Sequence, residues 1–362
     1  MKKVVLLDAL RTPFGKYRGS LSALTSVDLG ASVTRSLLEK NPSVTADVDQ
    51  VIFGSVLQSG LGQNVARQIS IKSGLDVTVP AFTVNEVCGS SLQALILGRE
   101  KILSGDANVV IAGGSESMTN ATTMQIDGLN DAFEEIPMGI TVERLVDEFG
   151  LTREEIDAFA LESQERAAAA NFDTELAPLD ELTSLETIRE TSMEKLASLK
   201  PVFIENGIIT AGNASPVNDG AAALLLASED YAADKKLPVL ANVLATVEVG
   251  VEPARMALSP IKAIRQLLEK TNLTVADIDR FEINEAFAAS SLLINRELGI
   301  SADKVNVKGG AIALGHPLGA TGARLVTTLA HQLADERLHY GITSLCIGGG
   351  LGLAVLLENP NA

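Results

Sequence analysis

Residues 46–54 read ADVDQVIFG and residues 276–284 read ADIDRFEIN. Each stretch has the pattern of a helix end, a turn and a short apolar strand. Two further pairs follow in the same order. Val109–Gly114 (VVIAGG) resembles Leu345–Gly349 (LCIGG), and Val4–Ala9 (VVLLDA) resembles Val239–Leu244 (VLANVL). The offsets are 276 − 46 = 230, 345 − 109 = 236 and 239 − 4 = 235. A near-constant offset across ordered pairs predicts two copies of one fold. In both copies strands alternate with helical segments: Leu92–Leu103 and Ala323–Leu333 each have helical apolar spacing and precede a glycine-rich strand. That alternation predicts α/β halves with parallel sheets covered by helices, sharing a buried middle helix layer.

The copies are not adjacent. We place the first half at residues 1–115 plus 215–237 and the second at 238–362, with an inserted loop domain over 116–214. Within the insertion, Thr152 with Glu155 reads as a capping box opening a helix to Ala170, and Asp173–Lys200 is acidic and irregular. Gly220–Ala227 predicts the last strand of the first half. The insertion then leaves from strand ends, where ligands of α/β sheets bind.

Composition narrows the function classes. The chain has 362 residues, 46% of them apolar, and a net charge of −17. No Lys/Arg block exists to meet phosphates, so nucleic acid is not an expected partner. Two distant cysteines and three histidines form neither a disulfide framework nor zinc-ligand spacing, and no metal is expected. The first 15 residues, MKKVVLLDALRTPFG, are interrupted by Asp8 and Arg11 and read as a strand rather than a signal peptide. No window has transmembrane length, so the expectation is a cytoplasmic protein without membrane contact.

Four stretches have residues suited to chemistry. In Asn85–Ser91 (NEVCGSS), Cys88 stands between a strand over Val79–Val84 and a helix from Ser90. Buried cysteine is commonly a small core residue. At a helix N-terminus, however, its pKa falls and thiolate is favoured, and Gly89 would permit the bend. Asn284 and Glu285 follow a strand and open a helix; Asn284 is either an N-cap or a holder of a water or carbonyl oxygen. His316 lies in Gly309–Arg324 (GGAIALGHPLGATGAR), where flanking glycines imply close backbone approach to something and Pro317 fixes the bend. His331 and His339 read as surface residues. Finally, Cys346 ends a strand before Gly348, Gly349 and Gly350. That run lacks the full dinucleotide-loop spacing and precedes a strand, Leu353–Leu357, which excludes NAD binding. Cys346 is better read as a second reactive thiol beside open backbone N–H groups.

Together these four stretches resemble the thiolase family in order and content, nearest its acetyl-CoA C-acetyltransferase branch, and Asp8–Gly15, Thr210–Ser215 and Asn218–Ala221 match as well. The resemblance runs from the N-terminus to about residue 358. It is also similar to the thiolase portion of bifunctional enzymes of the mevalonate route. It implies a five-layered αβαβα fold with two duplicated halves and an inserted loop domain. It implies reversible, ping-pong Claisen condensation of two acetyl-CoA to acetoacetyl-CoA and CoA. Coenzyme A thioesters are then substrates and partners, and no cofactor is needed. Cys88 would carry the acyl group and His316 would take its proton. Cys346 would deprotonate the second acetyl-CoA. His316 and a water on Asn284 would serve the enolate oxygen, and the amides of Cys88 and Gly348 the tetrahedral intermediate. Leu129, Met138, Lys200, Ala214, Ser215 and Phe287 would contact substrate.

The chain departs from the family where only Thr119–Ile126 connects Gly114–Met118 (GSESM) to Asp127–Leu129; relatives there have a long excursion used in tetramer contacts and near the CoA entrance. Pro137 stands where many members have a pantetheine-lining histidine, and Lys200 where many have an arginine near the CoA nucleotide. A homodimer rather than a tetramer is expected, with weakened CoA affinity. Three other readings stay open: a 3-ketoacyl-CoA thiolase for longer chains, a decarboxylating ketoacyl synthase, disfavoured by Cys346, and a non-catalytic CoA-binding protein.

Overall fold

The two quoted stretches fold alike. Thr45–Asp47 and Val275–Asp277 each form one 3-10 turn, and each leads into a strand. The structure, a computed structural model, describes residues 3–362. Its strands are β1 (Val4–Arg11), β2 (Gly15–Lys16), β3 (Gln50–Gly54), β4 (Ala81–Val84), β5 (Val109–Ser117), β6 (Asn218–Ser228), β7 (Ala241–Gly250), β8 (Arg280–Ile283), β9 (Tyr340–Ile347) and β10 (Leu351–Glu358). Its helices are α1 (Ser26–Lys40), α2 (Val65–Lys72), α3 (Ser90–Ser104), α4 (Met138–Phe149), α5 (Arg153–Ala169), α6 (Met193–Ala197), α7 (Glu229–Lys235), α8 (Ser259–Thr271), α9 (Ala288–Leu298), α10 (Ala311–Leu314) and α11 (Thr321–Asp335).

The strand order is β4-β3-β5-β6-β1 in one half and β7-β10-β9-β8 in the other. β3 and β8 are counterparts, as are β5 and β9, β6 and β10, and β1 and β7. β2, which pairs with the start of β6, has no counterpart, and β4 has no full one; a single parallel bridge, Phe281 to Val305, stands in its place. β1 and β7 meet antiparallel through Val5–Asn242 and Leu6–Ala241, so equivalent edges join the halves.

The expectation of parallel sheets holds only at the outer strands. β3 is parallel to β4 and β5, and β8 to β9, whereas β5-β6-β1 and β7-β10-β9 are antiparallel. Gly220–Ala227 therefore lies mid-sheet, between β5 and β1, where continuous apolar sequence is required because both faces are covered. Register also corrects one quoted offset. Phe53 pairs with Gly113 and Ile283 with Ser344, which makes the β5-to-β9 offset 344 − 113 = 231 and makes Cys346 the counterpart of Ser115, not of Val110.

Five layers result. α1 and α2 cover the outer face of the first sheet, α3 and α11 pack together between the sheets, and α8 covers the outer face of the second. The middle layer is an apolar core: Leu92, Leu95, Leu325 and Leu329 are all buried in one cluster with residues from both sheets. Gly322 permits this closeness, since a Cβ there would lie 2.5 Å from Leu92 N. β5 continues to Ser117, so Glu116 belongs to the first half's sheet, and the insertion between β5 and β6 carries α4, α5 and α6. Its capping box at Thr152 and Glu155 forms as expected, a feature worth about 1 kcal/mol. A buried Arg11–Glu175 pair at 2.5 Å ties the insertion to β1. Among the described residues no helix is long and apolar enough to cross a membrane.

Candidate active site

Cys88 lies in the turn between β4 and α3, and the turn is strained. Val87, a β-branched residue, has φ +47, a conformation that such side chains rarely adopt. The strain is held by local bonds: Val87 N donates to Asn85 Oδ1 at 3.0 Å, Ser90 Oγ to Val87 O at 2.7 Å, and Glu86 N to Ser90 Oγ at 2.9 Å. Gly89 is not the bend, contrary to the sequence reading. Its φ is −81, and it is glycine for space, because a Cβ would come within 2.4 Å of Ile347 Cδ1.

The second half supplies the facing groups. Cys346 is buried near the end of β9, and Gly349 and Gly350 turn the chain with φ +90 and +86. Gly348 leaves room for Met138, whose Sδ would lie 3.2 Å from a Cβ. Asn284 follows β8 and donates its N–H to Ser344 O at 3.0 Å. It is not an N-cap, because α9 begins at Ala288 with Phe287 at the cap position. His316 sits between α10 and α11. The segment carrying Ala214 and Ser215 is stitched alongside by Ser215 N to Ala286 O at 3.0 Å and Ala288 N to Asn213 O at 2.9 Å.

Hydrogen bonds determine the state of His316. Thr321 donates its only hydroxyl proton to Pro317 O at 2.9 Å. It must then accept from His316 Nδ1, 2.6 Å away, so Nδ1 holds the ring proton and Nε2 has the free lone pair. Asn284 Nδ2 lies 3.4 Å from that Nε2. Asn284 Oδ1 is buried without a protein partner and is left for solvent or substrate. Burial, with the nearby Arg324 charge, lowers the His316 pKa to about 3, which keeps the ring neutral.

The cysteines respond in the opposite sense. The helix-terminus argument predicts a lowered Cys88 pKa, but burial outweighs it. Burial and the neighbouring Cys346 push Cys88 up to about 12, against the amides of Gly348 and of Cys88 itself, which lower it. Burial raises Cys346 to about 11. The resting site therefore holds two thiols and a neutral imidazole rather than a thiolate–imidazolium pair.

These groups line one cavity of about 350 Å³. Cys88, His316, Cys346 and Gly348 share it with Leu129, Met138, Ala214, Ser215 and Phe287. Lys200 does not reach it and is exposed on the surface. Phe203, which the sequence reading missed, packs edge-on to Phe287 with centroids 6.0 Å apart and forms the wall with Val202. The shortened connection after β5 also reaches the cavity: a π-helical turn over Gln125–Leu129 presses Gly128 against Leu318. Such turns are frequent at functional sites. His331, expected at the surface, is buried and contacts Ala9 O at 3.0 Å; His339 is exposed as expected.

Comparison with known proteins shows the family. The sequence matches the thiolase N-terminal domain over residues 4–127 and 121–230 and the thiolase C-terminal domain over residues 237–359. It is 46% identical to an acetyl-CoA acetyltransferase of Pseudomonas aeruginosa over 390 aligned positions, covering 99% of each chain. It is 43% identical to a probable acetyl-CoA acyltransferase of Staphylococcus aureus, again over 99% of each. The alignments exceed 362 residues, and the two N-terminal matches meet at residues 121–127, where the connection is short. Among solved structures, the Acat5 thiolase from Ascaris suum in complex with coenzyme A superimposes with TM-score 0.96 at 40% identity, covering 99% of this chain and 100% of that one. Human mitochondrial 3-ketoacyl-CoA thiolase in complex with CoA gives 0.95 at 37%, covering 99% and 98%. The chain belongs to the thiolase family and is an acyltransferase.

Proposed function

We propose that the enzyme is an acetyl-CoA C-acetyltransferase that condenses two acetyl-CoA to acetoacetyl-CoA and CoA, reversibly and through an acetyl-cysteine. The observation that carries this reading is the convergence of two thiols and a neutral, correctly tautomerised imidazole on one apolar cavity. Cys88 Sγ attacks the thioester carbonyl while His316 Nε2 takes its proton. CoA leaves as a thiolate, and the proton lost by Cys346 ends on it. Cys346 then removes a proton from the methyl group of the second acetyl-CoA. The enolate oxygen is met by the protonated Nε2 of His316 and by a water held on Asn284. The carbanion attacks the acetyl carbonyl, and the amides of Cys88 and Gly348 serve the oxyanion. Cys88 leaves and recovers its proton from His316.

The same reading extends to the setting. Thiols and imidazole supply every proton and bond change, so no metal or cofactor is needed. We propose a cytoplasmic homodimer with weakened CoA affinity, because the connection after β5 is short and Lys200 stands apart from the cavity. A supply of acetoacetyl units, as in the mevalonate route, fits the condensing direction. Sedimentation as a stable tetramer would count against the dimer.

One observation favours a second reading. Beside Cys88 lies an apolar cluster with Leu57, Met118, Met124, Leu129 and Leu318, and methionine side chains adapt to longer chains. A 3-ketoacyl-CoA thiolase is therefore the alternative. The deciding experiment is CoA-dependent thiolysis of acetoacetyl-CoA against longer 3-ketoacyl-CoAs. A kcat/KM that falls with chain length supports the first reading, and one that rises supports the second.

A further inference from the structure

We propose that Glu116 and Asn218, two buried side chains of the first half, are the positioning residues that hold the His316 loop at working distance from Cys88. This rests on the catalytic reading above and adds to it two residues to which that reading assigns no role.

The nucleophile and its base come from different halves, so the chemistry needs a device that fixes one half against the other. A general base must lie within about 3 Å of the proton it takes. Asn218 begins β6, and its Oδ1 accepts the His316 backbone N–H at 3.0 Å. Its Nδ2 donates to Gly15 O at 2.9 Å, which settles the end of the amide that faces the loop. Glu116, on β5, accepts Gly319 N–H at 2.9 Å. Residues 316–319 are thus gripped at both ends by side chains of the opposite half. Both side chains are fully buried.

The glycines around His316 follow from this grip. Gly315 has φ +101, and a Cβ there would lie 2.6 Å from Asn218 Cγ. A Cβ at Gly319 would lie 2.9 Å from Glu116 Oε2, and one at Gly114 only 1.9 Å from Gly319 O. The close approach implied by the glycine-rich sequence is to these two side chains. Glu116 has a second task. Its carboxylate also accepts Val56 N–H and Leu57 N–H, each at 3.1 Å, and Val56, Leu57 and Leu318 form the apolar cluster around Cys88. One carboxylate therefore places the base loop and the wall beside the nucleophile.

The test compares Glu116→Leu and Asn218→Leu, which keep volume and lose the acceptor, with Glu116→Gln and Asn218→Asp, which keep an acceptor for the loop. The readouts on the full-length enzyme are kcat and KM for acetoacetyl-CoA thiolysis, thermal midpoint, and the imidazole ¹⁵N resonances, which are assignable because the chain has three histidines. The leucine variants should lose roughly 10–100-fold in kcat, the scale of an ångström misplacement, with KM within about threefold, and the His316 resonances should move. The glutamine and aspartate variants should keep kcat within about threefold of wild type. Leucine variants with wild-type kcat would overturn the proposal, as would equal losses in the conservative pair. If the leucine variants do not fold, the conservative pair decides: a loss beyond about tenfold overturns it. If the unaltered chain has no thiolase activity, the catalytic reading fails by itself. The His316 resonances then still decide the clamp, moving in the leucine variants if it exists and staying if it does not.

Discussion

The two halves share a strand order, a middle-layer helix and a turn that opens it, yet the turns carry opposite chemistry. In the first half the turn before α3 holds a nucleophile on a strained β-branched neighbour, Val87 at φ +47. In the second the turn before α11 holds a base flanked by Gly315 and Gly319, which lie against side chains of the first half. Duplication provides two facing platforms, and divergence at equivalent positions provides complementary groups. The shared burial that joins the platforms also sets their resting state, because it raises the thiols and lowers the imidazole.

Division of labour predicts the largest effects. Cys88→Ser should remove acyl-enzyme formation, lowering turnover by about 10³-fold or more. Cys346→Ser should leave acylation largely intact while suppressing condensation; equal loss of acylation in both variants would break the distinction between halves. His316→Gln should cost about 10²–10⁴-fold in kcat, the usual contribution of a positioned base. Asn284→Leu should cost somewhat less, about 10²-fold, and should spare acylation, measured as the burst of CoA released.

Smaller effects test the turns as structure. Gly89→Ala meets a flexible Ile347 side chain, whereas Gly315→Ala meets Asn218 and also requires an alanine at φ +101. Both should destabilise by about 1–3 kcal/mol in thermal or denaturant unfolding, with Gly315→Ala the larger. The smallest effect concerns Glu86, in the nucleophile turn. Burial, with Glu248 nearby, raises its carboxyl to about 7. A raised carboxyl contributes stability that is complete below its unfolded value of 4.5 and is lost as pH rises through about 7. Glu86→Gln should flatten part of that loss in unfolding curves taken across the range. An unchanged slope would remove Glu86 from the account.

Much of this was legible in the chain, and the limits have physical causes. Periodicity and offsets revealed the halves, because a strand buried on both faces and a helix with one buried stripe are local patterns. Strand direction was not legible, since apolar runs look alike in parallel and antiparallel sheets; β5-β6-β1 and β7-β10-β9 turned out antiparallel. Cys88, His316 and Cys346 stood out because reactive residue types occurred close to glycines, and Asn284 because it followed a strand and read as opening a helical segment. The thiol pKa did not, because a helix terminus is visible in sequence and a desolvated cavity is not. His331 read as surface for the same reason: its contact with Ala9 spans 322 residues. Phe203 could have been suspected only from Gly139, whose absent side chain makes room for its ring. Asn218 lay within a matched motif and Glu116 just before the short connection, but the loop residues they hold, His316 and Gly319, come from the other half.

The account's central claim is that the first half carries the acyl group while the second half activates it. Mass spectrometry of acetyl-CoA-treated enzyme, with peptide mapping, tests this most directly. The account predicts one acetyl group on Cys88, retained in Cys346→Ser and absent in Cys88→Ser. Acetyl on Cys346, or a Cys88→Ser enzyme that still becomes acetylated at the site, would contradict it.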